Sequence, residues 1–399
     1  MAINGSGRVD QSWSAVRAND REMTGIGRGM VAALTSSVAY LRTTHNVEKR
    51  SLIMRSSILL PFALVAPLCL SVAGCLSDAA EGDAEGVADG AEEAVKGSDP
   101  CAFPHTKTVD VASASQLSSA LSKAAPGTMI RLAAGTYKGQ FGLKTSGTAS
   151  APVVVCGARQ AVLDGGSTAS GYGFHLEADH TILSGFTVTN SQKGIVLDGA
   201  NDNLVRGVSV FDIGMEGVHF RAFSTGNTLD ASEVRDTGKV SPGTGEAVYI
   251  GSSKNNWGSV TGGKPDKSDH NKVTNNKLGP NVGAELVDIK EGTTGAEITG
   301  NTFDGAGQSG ENDADSFIDV KGNGAKISGN TGKNPLKDGF QTHVLVDGWG
   351  NDNVFSNNKV TLRSGKGGVG FSIAAQSSGN LITCDNTVSG GGLANVKCK

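Results

Sequence analysis

Two short stretches carry the residues best suited to chemistry. Val287-Asp288-Ile289-Lys290 and Ile318-Asp319-Val320-Lys321 set the same two charges between branched apolar residues. That alternation has the period of a half-buried strand, so Asp and Lys point away from the core on which the apolar side chains pack. Similar apolar triplets recur along the chain. They align on a first inward residue: Phe174, Ile195, Val218, Val248, Val287, Ile318, Val344 and Phe371. The next outward position then reads His175, Val196, His219, Tyr249, Asp288, Asp319, Leu345 and Ser372. Two residues further stand Glu177, Asp198, Arg221, Gly251, Lys290, Lys321, Asp347 and Ala374. Two before the anchor are Glu216, Glu246 and Glu285, with Asp315 one place off. Ionisable groups therefore crowd the segments from Val218 to Val320.

Stacked at the roughly 4.8 Å spacing of neighbouring strands, like carboxylates repel by about 3.5 kcal/mol at an effective dielectric near 20. Either cations compensate them or one keeps a raised pKa. Lys290, Lys321 and Arg221 supply part of that charge. A Ca²⁺ ion, which takes roughly six to eight oxygens, is expected to supply the rest, held by Glu246, Glu285 and Asp288 with Glu216 and Asp319 in support. Lys290 beside Lys321 predicts a second shift: mutual repulsion lowers the pKa of one amine and makes it a usable base. Tyr249 and His219 are candidate proton donors. The plainer alternative is a solvated ladder in which Asp and Lys simply pair and keep the face soluble.

These columns exist only if the triplets stack. Strands are expected at Val153–Val155, Phe174–Leu176, Ile195–Leu197, Val218–Phe220, Val248–Ile250, Val287–Ile289, Ile318–Val320, Val344–Val346 and Phe371–Ile373, in steps of about 21 to about 39 residues. The shorter steps are too small for a strand–helix–strand unit of about 30 residues. A second series trails the first, at 182–188, 205–210, 273–276, 298–301, 327–330, 355–358 and 383–386. Its Asn276, Asn301, Asn330, Asn358 and Asn386 share one phase. In a solenoid such a column bonds side chain to backbone at every turn and strands no polar group. Ser113 to Ala124 reads as a short amphipathic helix, capped by Ser113, with Leu117, Ala120 and Leu121 on one face and Pro126-Gly127 as its stop. Residues 251–272 and 302–316 are long excursions beside the charged strands, placed to wall a groove. Trp349 is a candidate sugar-stacking residue near His343 and Gln341.

These features resemble the right-handed parallel β-helix of the pectate-lyase-like superfamily over roughly residues 105–399. The resemblance implies an all-β, single-stranded solenoid with a short N-terminal capping helix. It also implies a polysaccharide lyase: β-elimination on a uronic-acid polymer, in which a cation neutralises the C6 carboxylate, a base takes the C5 proton and a donor protonates the leaving oxygen. Lys290 is the expected base, Lys321 or Arg221 the partner of the substrate carboxylate, and Tyr249 or His219 the donor. Glu285 before Lys290 matches the alginate and chondroitin branch, where a Glu precedes the Lys on one strand. That branch has an Arg one coil on, where this chain has Lys321. The fold alone also admits a glycoside hydrolase with paired carboxylates, or a non-catalytic glycan-binding surface protein.

The remaining sequence bounds location and partners. The chain has 399 residues, 57 of them Gly, 5% aromatics and a net charge of −4. That composition suits many tight turns, and the near-neutral charge offers no basic surplus for a nucleic acid. An acidic polysaccharide is the expected partner, bound by a monomer. Residues 1–53 show no clear period and read as lying upstream of the true start at Met54. Arg55, the apolar run Ile58 to Val72 and the small residues after it read as a signal peptide over 54–74. Leu70-Ser71-Val72-Ala73-Gly74-Cys75 resembles a bacterial lipobox, which implies cleavage before Cys75, lipid on its sulfur and an anchor at the outer membrane or cell surface. Residues 75–104 form an acidic tether poor in branched apolar residues. The four later cysteines allow three pairings, of which Cys101–Cys156 with Cys384–Cys398 staples each end of the array.

Overall fold

A computed structural model describes residues 99–399. The leader, Cys75 and the tether up to residue 98 lie outside the described residues. From Lys107 onward the chain winds as a right-handed parallel β-helix. Each coil contributes a strand to each of three sheets, of 11, 10 and 10 strands. The first sheet runs from Lys107–Val111 to Leu381–Ile382, the second from Phe141–Leu143 to Gly392–Ala394, and the third from Gly135–Lys138 to Thr387–Ser389. Within each sheet, every strand bonds in parallel to the strand one coil before and one coil after.

Inward positions of the three sheets form one continuous core. Val218, Val248, Val287 and Ile318 are wholly buried in line. Toward the C-terminal end the core turns aromatic, with Phe340 stacked on Phe371 at 5.1 Å between ring centroids. Helix Ala114–Ser122 closes the N-terminal end. Its cap Ser113 accepts from the Gln116 N–H at 3.3 Å, and Leu117, Ala120 and Leu121 are buried on the first coil. Disulfides Cys101–Cys156 and Cys384–Cys398 tie down the two ends, as the pairing argument expected.

The Asn column is a hydrogen-bonded ladder. Asn301 Nδ2 donates to the Val273 carbonyl at 2.8 Å and to Asn330 Oδ1 at 3.0 Å, and the Asn301 N–H donates to the same Oδ1 at 2.9 Å. The motif repeats through Asn276, Asn330, Asn358 and Asn386. A second ladder went unread in the sequence: Asn203, Asn227 and Asn271 bond in the same way one turn corner away. The same bonding resumes between Asn353 and Asn380, and Ala296 and Ala325 at the intervening positions hid the phase in the sequence.

Two expected strands move. Val153–Gly157 belongs to the first sheet, paired with Thr128–Leu132 and Thr181–Ser184, not to the column that holds Phe174. All five of its residues are buried, Val154 and Cys156 beneath Cys101 and Phe103, so no alternation marked its phase. Val344–Val346 is not a strand. The strand there is Asp338–Thr342, whose Phe340 lies opposite Ile318 and Phe371. Leu345 is 43% exposed, so the apolar triplet that looked like a strand is a surface turn, and Phe340 carries the core. The run 182–188 also splits at Gly185, which takes φ 83°, into strands Thr181–Ser184 and Thr187–Ser191.

Asn330→Ala would leave the Asn301 N–H and side-chain amide without their shared acceptor in a dry turn. Expected is a loss of about 3 kcal/mol or more in denaturant-monitored unfolding, against less than about 0.5 kcal/mol for the exposed Thr331→Ala beside it.

Candidate active site

The site lies on the outer face of the second sheet. Here the register sets Val196, His219, Tyr249, Asp288, Asp319 and Gln341 opposite one another in sequence, one per coil. Gln341 takes the place expected for Leu345, because the strand begins earlier than the sequence suggested. Lys290 and Lys321 follow where their strands end, their N–H groups bonded back to the Ile250 and Ile289 carbonyls at 2.9 and 2.8 Å. Parallel pairing thus brings together side chains far apart in sequence, such as Glu246 and Asp319, 73 residues apart.

Asp288 is the hub. Its Oδ2 lies 2.6 Å from Lys290 Nζ and its Oδ1 2.9 Å from Lys321 Nζ. Lys321 Nζ also reaches Asp319 Oδ2 at 3.0 Å and Glu285 Oε1 at 4.0 Å. Ser316 Oγ donates to Asp319 Oδ1 at 2.9 Å, and His343 Nε2 lies 3.2 Å from Asp319 Oδ2. Lys290 Nζ stands 5.1 Å from the Tyr249 ring centroid. The His219 ring meets the Tyr249 ring edge-on at 4.4 Å. His219 Nε2 is 2.9 Å from the Gly251 carbonyl, which only accepts, so Nε2 carries the proton and Nδ1 is bare. Gly251 takes φ 84°, and a Cβ there would sit 2.5 Å from Thr293 Cγ2, so the turn that offers this carbonyl needs glycine.

Burial and charge fix the protonation states. Burial opposes the charge on Lys290, yet the adjoining Asp288 carboxylate outweighs it and holds the amine well above its ordinary pKa. Lys321 is raised in the same way by Asp288 and Asp319 against its own burial. The expectation that lysine–lysine repulsion would yield a neutral amine is corrected: the carboxylates between the two amines dominate. Burial, then the charges of Glu216 and Asp288, push Glu246 up to about 8. Burial and the Asp319 charge raise Glu285 well above the carboxylate range. Burial would raise Asp319, but Lys321 and His343 hold it well below that range. Tyr249 is raised by burial and by Asp288, so it stays a neutral phenol. Burial drives His219 well below the usual imidazole value, so it too is neutral.

An acidic cluster is present as expected: Glu246, Glu285 and Asp288 each offer an oxygen within 4.8 Å of the others. Its chemistry does not fit a resident Ca²⁺. Both Asp288 oxygens already face ammonium groups, and burial with the neighbouring carboxylates shifts Glu246 and Glu285 toward their neutral forms. Asp288 and Asp319 balance Lys290 and Lys321, so the cluster needs no further cation.

Two expected members sit apart from this cluster. Arg221 grips Asp198 through Nε at 2.5 Å and Nη2 at 2.9 Å, and reaches the Tyr172 hydroxyl at 3.0 Å. Glu216 faces Lys193 Nζ at 2.7 Å. Sequence reasoning missed Lys193, which lies one coil from the Glu216 it pairs with. It also missed Asp266, wholly buried, which accepts from the Ala222 and Phe223 N–H groups and the Ser252 and Ser268 hydroxyls. Asp266 thereby pins the excursion 251–272, and Trp257 Nε1 donates to the Ser252 carbonyl at 2.9 Å within it. On the opposite side Glu311 Oε2 accepts from Gly243 N at 3.2 Å and Asn312 Nδ2 donates to Gly243 O at 2.7 Å. Ser252, Asn256 and Val260 of the first excursion line a cavity beside Tyr249, whereas the second begins with the third-sheet strand Thr302–Asp304. Trp349 and His175 lie outside the charged face, His175 held by Asp198 at 2.8 Å.

Comparison with known proteins places this geometry. Residues 145–321 match the family model described as periplasmic copper-binding protein (NosD). No curated protein matches the sequence. Among solved structures, the alginate lyase from Paenibacillus sp. str. FPU-7 is 38% identical, with a TM-score of 0.68, over 72% of this chain and 97% of that one. The chain belongs to that family of β-helix polysaccharide lyases. The pectate lyase Pel9A is 17% identical over 74% of this chain and 80% of its own, with a TM-score of 0.54, and shares the fold.

The raised Glu246 carboxyl makes a pH prediction. Between an unfolded value near 4.3 and about 8, the folded protein binds a proton that the unfolded chain has released. Stability is then lost as pH rises through that window. Glu246→Gln should flatten this alkaline limb of the stability-versus-pH curve, measured by urea unfolding at pH 5, 7 and 9. An unchanged limb would place the proton elsewhere.

Proposed function

We propose that this protein is a lyase that cleaves a uronic-acid polysaccharide by β-elimination, with Lys290 as the base and Tyr249 as the donor to the leaving oxygen. The observation that carries the reading is their placement. They stand on adjacent coils of the second sheet and lie 5.1 Å apart from amine to ring centroid, in a chain 38% identical to an alginate lyase over nearly all of that protein. A neutral phenol held by burial is a competent donor to an alkoxide leaving group. Lys321 supports the reaction from one coil on, by adding positive potential where charge develops on the substrate carboxylate and the enolate. This reading assigns no step to Ca²⁺, because amines already face both oxygens of Asp288, the central carboxylate of the acidic cluster.

The free protein holds Lys290 as an ammonium. Abstraction therefore runs through a small neutral fraction, and the rate should climb with pH into the alkaline range. Lys290→Arg separates the roles of base and cation, because arginine keeps the charge and does not deprotonate. Expected is a fall of about 10³-fold or more in unsaturated-product absorbance for both Lys290→Ala and Lys290→Arg, and about 10²-fold or more for Tyr249→Phe, with chelator without effect. Retained activity in Lys290→Arg would reassign the residue to the substrate carboxylate. Saturated products would indicate a hydrolase, and binding without turnover a glycan-binding protein.

The same reading puts the enzyme outside the cytoplasm. Two disulfides suit an oxidising compartment, and no described helix is long and apolar enough to cross a membrane. We propose that Cys75 is lipidated after removal of a leader at 54–74, and that the part of 75–104 before Cys101, which the disulfide to Cys156 holds on the β-helix, tethers it to the envelope. Mass spectrometry of the exported protein should find a diacylglyceryl group on Cys75 and no residue before it.

A further inference from the structure

Beside Tyr249, on the side away from Lys290, lies a cavity of about 140 Å³. Its walls include Glu216, His219, Glu246 and Tyr249, with Met215 and Val260 as apolar patches. Three buried polar atoms in these walls have no hydrogen-bond partner: Glu216 Oε2, His219 Nδ1 and Glu246 Oε2. Glu216, His219 and Glu246 are only 5, 4 and 6% exposed, so whatever answers these atoms must sit inside the cavity. Glu216 Oε1 is 3.5 Å from His219 Nδ1, which is a contact between two acceptors, since Nε2 carries the imidazole proton. The nearby cations are committed, Lys193 to Glu216 and Arg221 to Asp198. Glu216 Oε2 and His219 Nδ1 are acceptors without partners, so they call for a ligand that donates. A carboxylate brings no donor, whereas a sugar hydroxyl brings one and accepts in return. Met215 and Val260 suit the apolar face of a pyranose ring.

We propose that this cavity is the subsite for the ring joined across the scissile linkage, that it recognises that ring through free hydroxyls donating to Glu216 and His219 Nδ1, and that it refuses a ring whose hydroxyls are acylated. The subsite's position beside the reacting bond rests on the lyase reading above; its hydrogen-bond chemistry does not. Acylation removes the donor and leaves two buried acceptors unanswered. Sites built around a substrate hydroxyl discriminate strongly against analogues that lack it.

The test compares uronate tetrasaccharides with free hydroxyls and the same tetrasaccharides chemically O-acetylated. For the unaltered protein, kcat/KM should favour the free form by roughly a hundredfold or more. Glu216→Gln turns one acceptor into a donor, and His219→Phe keeps the ring against Tyr249 but removes Nδ1. Each should shrink the preference about tenfold. The preference is a ratio within one protein, so a partly unfolded variant lowers both arms and leaves it unchanged. Equal rates on the two substrates, or an undiminished preference in both variants, would overturn the subsite. If no elimination occurs on either, calorimetric titration of Lys290→Ala decides separately. Binding of the free form alone keeps the subsite while the lyase reading falls, and equal binding, or none, removes the subsite.

Discussion

Everything at the charged face depends on parallel backbone pairing between coils. Each strand of the second sheet bonds to the next in fixed register, so a side chain's neighbour is set by its place in the coil and not by its distance along the chain. A slip of one residue would turn Tyr249, Asp288 and Asp319 inward and place Val and Ile in water. The buried Asn ladder and the aromatic stack at the C-terminal end oppose such a slip, because each asks for one residue type at one phase. The face is therefore rigid before any substrate arrives, which is what general acid–base geometry requires.

Charge is the second constraint, and it works against intuition from pairs. Two lysines one coil apart look like mutual repulsion in the sequence. In the fold, Asp288 stands between them and bonds both. The result is a compact alternating lattice of two amines and two carboxylates, with neutral Glu246 and Glu285 at its edge. Removing Asp288 alone would leave two ammonium groups facing each other in a dry site, which is far more harmful than removing a pair.

The fold was largely legible from residues 105 onward. Alternation of branched and charged residues identified the strands of the middle coils, and the recurrence of Asn at one phase identified the ladder. The outward columns were legible too, because period 2 determines sidedness once an anchor is found. Failures came where alternation disappears. Val153–Gly157 is apolar throughout because a disulfide-bonded segment covers its outer face, and Val344–Val346 imitates a strand in an exposed turn. Protonation states were not legible, since they depend on which oxygen faces which amine. Asp266 gave no signal at all: an aspartate in a polar loop looks the same whether it is solvated or caps four donors.

The last coils have a different bearing. Strands Val354–Ser356, Lys359–Thr361 and Val369–Ser372 continue the core and the ladder, but their outward side chains carry little of the charge that marks the middle of the molecule. They behave as structural length. Gain or loss of such a turn during divergence would translate the stapled C-terminal end along the axis by one strand spacing and leave the relative positions of Tyr249, Lys290 and Asp288 untouched. Solenoid relatives of unequal length can thus preserve one reaction centre, provided that turns are inserted or deleted outside the stretch between Val218 and Thr342.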